Sequence, residues 1–219
     1  MRQEKGKVSK DKTLLESPSL QVKYTTLDHI DMSSWRKTLS IYEMHRANNI
    51  VNLNHREQYI KSKIYLRRLL SEKLDTSPHL IKLSYDQYGK PIVQNNPIKF
   101  SMSHSGEHLL VGISSNHIGV DVEEERNIDY NELIWEILEP DEIKEYLKLN
   151  STQKKAIFYT GWTFKESLIK ANGLHEQNHR FKLIEVKTFL KVNALPYKKG
   201  HYYTWRKEKI QLTGFTAQK

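Results

Sequence analysis

A carboxylate, two lysines and a tryptophan fall within one amphipathic pattern, Trp162-Thr163-Phe164-Lys165-Glu166-Ser167-Leu168-Ile169-Lys170. Glu166 and Lys170 are four residues apart and share a helix face, with Trp162 one turn earlier on that side. A core tryptophan beside a surface ion pair fits the stretch as well as a site does, because such pairs are common and individually weak. A second stretch, Ile118-Gly119-Val120-Asp121-Val122-Glu123, alternates apolar and acidic residues. On a strand, period two puts Asp121 and Glu123 on one face and Val120 and Val122 on the other. Two carboxylates on one face repel each other unless exposed or neutralised. A hard divalent cation such as Mg²⁺ is the natural counter-charge, since it takes oxygen ligands and keeps waters for a phosphate substrate. Glu124 and Glu125 extend the acidity and favour a plain exposed strand end instead.

Phe100-Ser101-Met102-Ser103-His104-Ser105-Gly106 sets a histidine between two serines beside a glycine. It is open to a nucleophile–base pair, a phosphate contact or a turn. No acid stands at a known hydrolase spacing and there is no Gly-x-Ser-x-Gly elbow, so a triad ranks below phosphate binding. In Tyr88-Gly89-Lys90-Pro91, Gly89 lets backbone approach a ligand closely and Lys90 puts a cation there, although most such stretches are only loops.

The elements that must position these residues follow from periodicity. Leu20 to Leu27 suits a strand, and Asp31 to Asn48 a helix with Ser33 or Ser34 as N-cap. Arg56 to Leu74 is the clearest long helix, with a basic face of Lys61, Lys63, Arg67 and Arg68 that is either solvated or a phosphate site. Phe100 opens a short strand, Leu109 to Ser114 is a buried strand, and Asn131 to Leu149 is helical with a break at Pro140. The helix from Thr152 to Ala171 ends at Asn172-Gly173. Phe181 to Val192, Tyr202 to Trp205 and Ile210 to Phe215 read as short strands. The order strand, helices, strands thus runs twice, before and after residue 115. This predicts an α/β (α+β) fold with a polar extension over 1–18, one half-domain over 19–115 and a second over 116–219, which would carry a metal site if Asp121 and Glu123 hold a cation.

The 219 residues suffice for one large domain or two small halves. No apolar run is long enough for a bilayer and no h-region follows the first residues, so the expectation is a cytoplasmic protein with no membrane association. The chain has no cysteine, which excludes disulfides, thiolate zinc sites and a cysteine nucleophile. Lys+Arg is 35 against 26 Asp+Glu, a net +9, which favours anionic partners: nucleic acid, a nucleotide-like cofactor or an acidic protein.

With these motifs in this order and spacing, the chain resembles the 4′-phosphopantetheinyl transferases of the surfactin-synthetase-activating type. The resemblance spans Leu20 to Phe215 and is carried by Tyr88 to Pro91, Phe100 to Gly106, Gly119 to Glu123 and Trp162 to Ser167 with Lys170. It implies a monomer of two similar α/β halves related by a pseudo-two-fold axis, each a small sheet packed with helices, with coenzyme A between them. It implies Mg²⁺-dependent transfer of the phosphopantetheine arm from coenzyme A to a serine of an apo acyl or peptidyl carrier protein, releasing 3′,5′-ADP, with Mn²⁺ as an alternative ion. Asp121, Glu123 and Glu166 match the family's metal ligands, with Glu166 also the acceptor of the serine proton and Lys170 beside the pyrophosphate. Ser103 and His104 match contacts to the coenzyme's phosphates, His104 at the 3′-phosphate, and Tyr88, Gly89, Lys90 and Pro91 match the loop around the nucleotide. Lys165 either supports Lys170 or is solvated, and Trp162 is a packing anchor. Arg46 falls where the family has a basic contact to the 3′-phosphate, whereas Gln58 stands where an arginine is frequent. Two other readings compete. A nucleic-acid-binding module suits the net charge and the basic helix, but leaves Asp121, Glu123 and Glu166 repelling a phosphate backbone. A catalytically silent carrier-protein binder has no need of three carboxylates.

Overall fold

The structure is a computed structural model and describes residues 11–87 and 89–217. In chain order the first part holds strands β1 (Lys12–Ser17) and β2 (Leu20–Thr26), then helices α1 (Trp35–Thr38), α2 (Ile41–Asn48) and α3 (Leu53–Leu74). Strands β3 (Leu83–Tyr85), β4 (Pro91–Val93), β5 (Lys99–Ser105) and β6 (His108–Ser114) follow. The second part holds β7 (Ile118–Glu124), the short helices α4 (Tyr130–Leu133) and α5 (Ile143–Leu147), the long α6 (Ser151–Asn172) and α7 (Leu183–Phe189). It closes with β8 (Ala194–Tyr197), β9 (Gly200–Lys207) and β10 (Ile210–Ala217).

Two antiparallel four-stranded sheets organise the chain, one in the order β1-β2-β6-β5 and the other β7-β10-β9-β8, with β3-β4 as a separate pair. Their logic repeats. A strand (β2 or β7) leads to a 22-residue helix (α3 or α6), then to a hairpin whose last strand pairs back onto the first. The fold is thus the mixed α/β arrangement expected from the order of elements. Val22, Tyr24 and Leu110 of the first sheet and Val120, Val122 and Leu212 of the second bury one another in a shared apolar layer. Each long helix covers its own sheet with a separate core, around Ile64, Leu66 and Leu70 on α3 and around Phe164 and Leu168 on α6.

Several elements differ from the sequence reading. Lys12–Ser17 are not part of a polar extension; they pair with β2 as an edge strand, while residues 1–10 lie outside the described residues. The helix expected over Asp31–Asn48 is two helices, because Ser40 starts a new one through a capping box. The Glu43 amide donates to Ser40 Oγ at 3.3 Å, and the Ser40 amide donates to Glu43 Oε2 at 3.0 Å. Asn131–Leu149 breaks into α4, two 3-10 turns (Ile134–Glu136 and Pro140–Glu142) and α5. Phe181–Val192 is not a strand: Leu183, Val186 and Phe189 recur at helical steps into the core, and Glu185 caps α7 by accepting from the Lys182 amide at 2.7 Å. The basic face of α3 is not wholly solvated either. Arg67 is 1 % exposed, donates through Nε to Glu43 Oε2 at 2.5 Å, and donates through Nη1 to the carbonyls of Pro78 and Ile81.

The contact that fixes the second half is the approach of β7 to α6. A Cβ on Gly119 would stand 1.9 Å from the Ser167 carbonyl oxygen and 2.6 Å from the Ala171 amide nitrogen. Only a glycine lets a strand lie this close to helix backbone. Gly119→Ala is therefore expected to destabilise the protein by at least ~3 kcal/mol, measured by urea denaturation. A loss within ~0.5 kcal/mol would show that β7 can withdraw without consequence.

Candidate active site

β7 is buried on both faces. Val120 and Val122 point into the layer between the sheets, and Asp121 points the other way, 3 % exposed. The two opposed faces are those that period two assigned to the valines and the carboxylates. The neighbour on the acidic side is β5, the edge strand of the other sheet, and the two strands are joined by serine hydroxyls. Ser101 Oγ accepts from the Val120 amide at 3.1 Å, and Ser103 Oγ donates to Asp121 Oδ1 at 2.7 Å. Ser105 Oγ donates to Glu123 Oε2 at 2.8 Å and accepts from the Glu124 amide at 3.2 Å. The sequence reading singled out only Ser103. The period-two spacing of Ser101, Ser103 and Ser105 was the available signal for the other two.

From α6, Lys170 reaches across to the same strand. Its Nζ lies 2.5 Å from Asp121 Oδ1 and 3.1 Å from Ser103 Oγ. Asp121 Oδ2 is buried with no hydrogen-bond partner. Burial pushes the Asp121 carboxyl upward, and Lys170 and Ser103 oppose that shift. Glu123 is raised first by burial and then by Asp121, with Ser105, Arg126 and Lys170 pulling it down. Glu166, one turn before Lys170, is likewise raised by burial and then by Asp121, and is lowered by Lys170 and Lys165. Asp121 thus repels both glutamates, and Lys170 offsets all three.

This donor set is anionic and all oxygen, which suits a hard divalent ion. The orphaned Oδ2 of Asp121 is the atom that calls for a cation. As the side chains stand, no three acidic or histidine residues among the described residues close on a common point that could hold a metal ion. Lys170 takes up one Asp121 oxygen in the meantime.

Beside this seam lies a cavity of about 660 Å³. Gly89, Lys90 and Pro91 form part of its wall, and Lys63, Lys99 and Lys170 bring further positive charge. Lys63 was named in the sequence only within a basic face that was either solvated or a phosphate site, and Lys99 was not named, because a lysine on a helix or strand carries no signal of what it faces. The Lys90 ammonium is tied to backbone, donating to the carbonyls of Ile118 and Lys170. Burial lowers its pKa, which Asp86 opposes. Tyr88 lies outside the described residues. Arg46 and His104 are not among the residues lining the cavity. Arg46 sits 5.6 Å over the Tyr59 ring, and the Lys63 ammonium is also 5.6 Å from it, so the two cations flank one tyrosine. His104 is exposed, and period two turns it away from the serines that face β7. Lys165 is buried, donates to the Glu136 carbonyl and pairs with the Glu136 carboxylate at 3.7 Å. Trp162 packs on the second core and stacks with Phe158 at 5.8 Å.

The geometry defines a two-sheet α/β protein with an anion-attracting cavity abutting a buried carboxylate–lysine seam. Residues 117–215 match the model of the 4′-phosphopantetheinyl transferase superfamily. The chain is 32% identical over 142 residues to the 4′-phosphopantetheinyl transferase HetI of Nostoc sp., covering 62% of this chain and 60% of HetI. It is 31% identical over 132 residues to the 4′-phosphopantetheinyl transferase gsp of Aneurinibacillus migulanus, covering 56% of this chain and 51% of that protein. It is 29% identical over 111 residues to the 4′-phosphopantetheinyl transferase Sfp of Bacillus subtilis, covering 50% of this chain and 49% of Sfp. The matches span less than two thirds of the length of each of these relatives. The matched segment takes in Asp121, Glu123, Glu166 and Lys170. No helix among the described residues is long and apolar enough to cross a membrane.

Mutual repulsion of the carboxylates has a measurable consequence. Without divalent ions, Glu166→Gln should melt about 2 °C above the native chain, because one repelling charge is gone. Adding Mg²⁺ should raise the melting point of the native chain more than that of the variant. Equal responses to Mg²⁺ would remove Glu166 from the cation site.

Proposed function

We propose that the chain transfers the 4′-phosphopantetheine arm of coenzyme A to a serine of an apo acyl or peptidyl carrier protein, with release of 3′,5′-ADP. The observation that carries this reading is Lys170, which lines the cavity and at the same time touches Asp121. One side chain thereby links the space for an anionic ligand to the carboxylates. The cavity's lysines suit the coenzyme's phosphates, and the net charge of +9 suits an acidic carrier.

In the proposed reaction the carrier serine oxygen attacks the β-phosphorus, and the bond from that phosphorus to the oxygen of the departing 3′,5′-ADP breaks. Glu166 takes the serine proton, directly or through a water. Lys170 stabilises charge on the pyrophosphate. Asp121, Glu123 and Glu166 would hold Mg²⁺ or Mn²⁺, which supplies charge neutralisation at the pyrophosphate when bound. Ser103 keeps Asp121 oriented, and Gly89, Lys90 and Pro91 form the wall around the nucleotide. Arg46 and His104 are proposed at the 3′-phosphate, with Lys63 replacing the positive charge that Gln58 lacks. The two halves, the first taking in β1 together with 19–115 and the second 116–219, act as half-domains of a cytoplasmic monomer, with coenzyme A between them.

Release of 3′,5′-ADP from coenzyme A in the presence of an apo carrier tests this reading. Asp121→Ala and Glu166→Ala should each lower the rate at least ~100-fold with the fold retained by circular dichroism. Activity near that of the native chain in either variant would sink the assignment. His104→Ala should raise the KM for coenzyme A about tenfold and leave that for dephospho-coenzyme A nearly unchanged. Equal losses would take His104 away from the 3′-phosphate.

A further inference from the structure

Lys90 stands on the loop between β3 and β4 in the wall of the cavity, yet its ammonium is already engaged. It donates to the Ile118 carbonyl at 3.2 Å and to the Lys170 carbonyl. Both acceptors belong to the other half of the chain. Ile118 opens β7, three residues before Asp121, and Lys170 lies in the last turn of α6. Carbonyls in that turn have no helical donor, and a cation there is favoured by the helix dipole. The loop that presents Lys90 is closed on itself. Asp86 Oδ1 accepts from the Lys90 amide at 2.9 Å, the Asp86 amide donates to the Lys90 carbonyl at 2.9 Å, and the Gly89 amide donates to the Asp86 carbonyl at 3.0 Å. Gly89 makes the reversal at φ 79°, in the region that favours glycine.

We propose that Lys90 is a positioning residue, a strut from the first half that fixes the last turn of α6 against the start of β7. It thereby sets where Lys170, whose ammonium touches Asp121, meets the cavity. Turning the ammonium to a phosphate instead would leave two backbone carbonyls without their donor, and a buried polar group left unpaired is costly. The kinetic consequence rests on the transfer reaction proposed above; the structural consequence does not.

Lys90→Met keeps the stem and removes the donor, whereas Lys90→Arg restores one. Lys90→Met is expected to lower kcat for coenzyme A-dependent transfer about tenfold with KM for coenzyme A within about twofold, and Lys90→Arg to recover part of the loss. Independently, in the protein without coenzyme A, amide hydrogen exchange in Lys90→Met should quicken over residues 118–121 and 167–173 while α3 keeps its native rates. If Lys90→Met does not fold, Lys90→Gln, whose shorter side chain withdraws the donor, takes the same measurements. A tenfold rise in KM at unchanged kcat would make the ammonium a ligand of the coenzyme and overturn the strut. Unchanged exchange over both segments would overturn it as well. A native chain that transfers nothing would defeat the proposed function, and the exchange rates would then decide the strut alone.

Discussion

The surroundings of Asp121 are shaped by the cost of burying a carboxyl group. An isolated carboxylate out of water is strongly unfavourable, and removing one member of a buried pair typically costs about 3–5 kcal/mol. Lys170 and Ser103 meet one oxygen of Asp121 and leave the other without a partner. To bring Lys170 there, α6 must lie against β7, and Gly119 removes the side chain that would hold them apart. To bring Ser103 there, the edge of the first sheet must run beside the edge of the second. The apolar layer between the sheets, built from residues such as Val22, Val120 and Leu212, supplies the burial that holds both edges in place.

The junction of β5 and β7 is the other consequence. Two sheet edges normally either pair through backbone or are blocked. Here alternate serines on one edge bond the backbone and carboxylates of the other. The hydroxyls keep the carboxylates oriented without a continuous ladder. The basic cavity opens beside the same junction, with Ser101 in its lining.

Local pattern made β7 and α6 legible in the sequence. The alternation from Ile118 to Glu123 placed Asp121 and Val120 on opposite faces, and the Glu166–Lys170 spacing placed both on one side of a helix. Asp121, Ser103 and Lys170, named from separate motifs, do meet in space. What stayed hidden depends on distant partners. Arg67 looked solvated because its buried acceptor, Glu43, lies 24 residues away. Lys90 read as a free cation because the carbonyls it holds are 28 and 80 residues on. Phe181–Val192 was misread because Phe181, Leu183 and Phe189 sit at even spacing, which period two also accepts; the Glu185 cap and packing on the α6 core select the helix.

In the proposed reaction the carboxylate–lysine seam and the basic cavity form one group-transfer site. Intact-mass spectrometry of an apo carrier protein incubated with this protein, coenzyme A and Mg²⁺ tests it most directly. A gain of one phosphopantetheine arm per carrier is expected, lost when EDTA replaces Mg²⁺ and lost with Asp121→Ala. An unmodified carrier across acyl and peptidyl types, or a gain that survives both EDTA and Asp121→Ala, would contradict it.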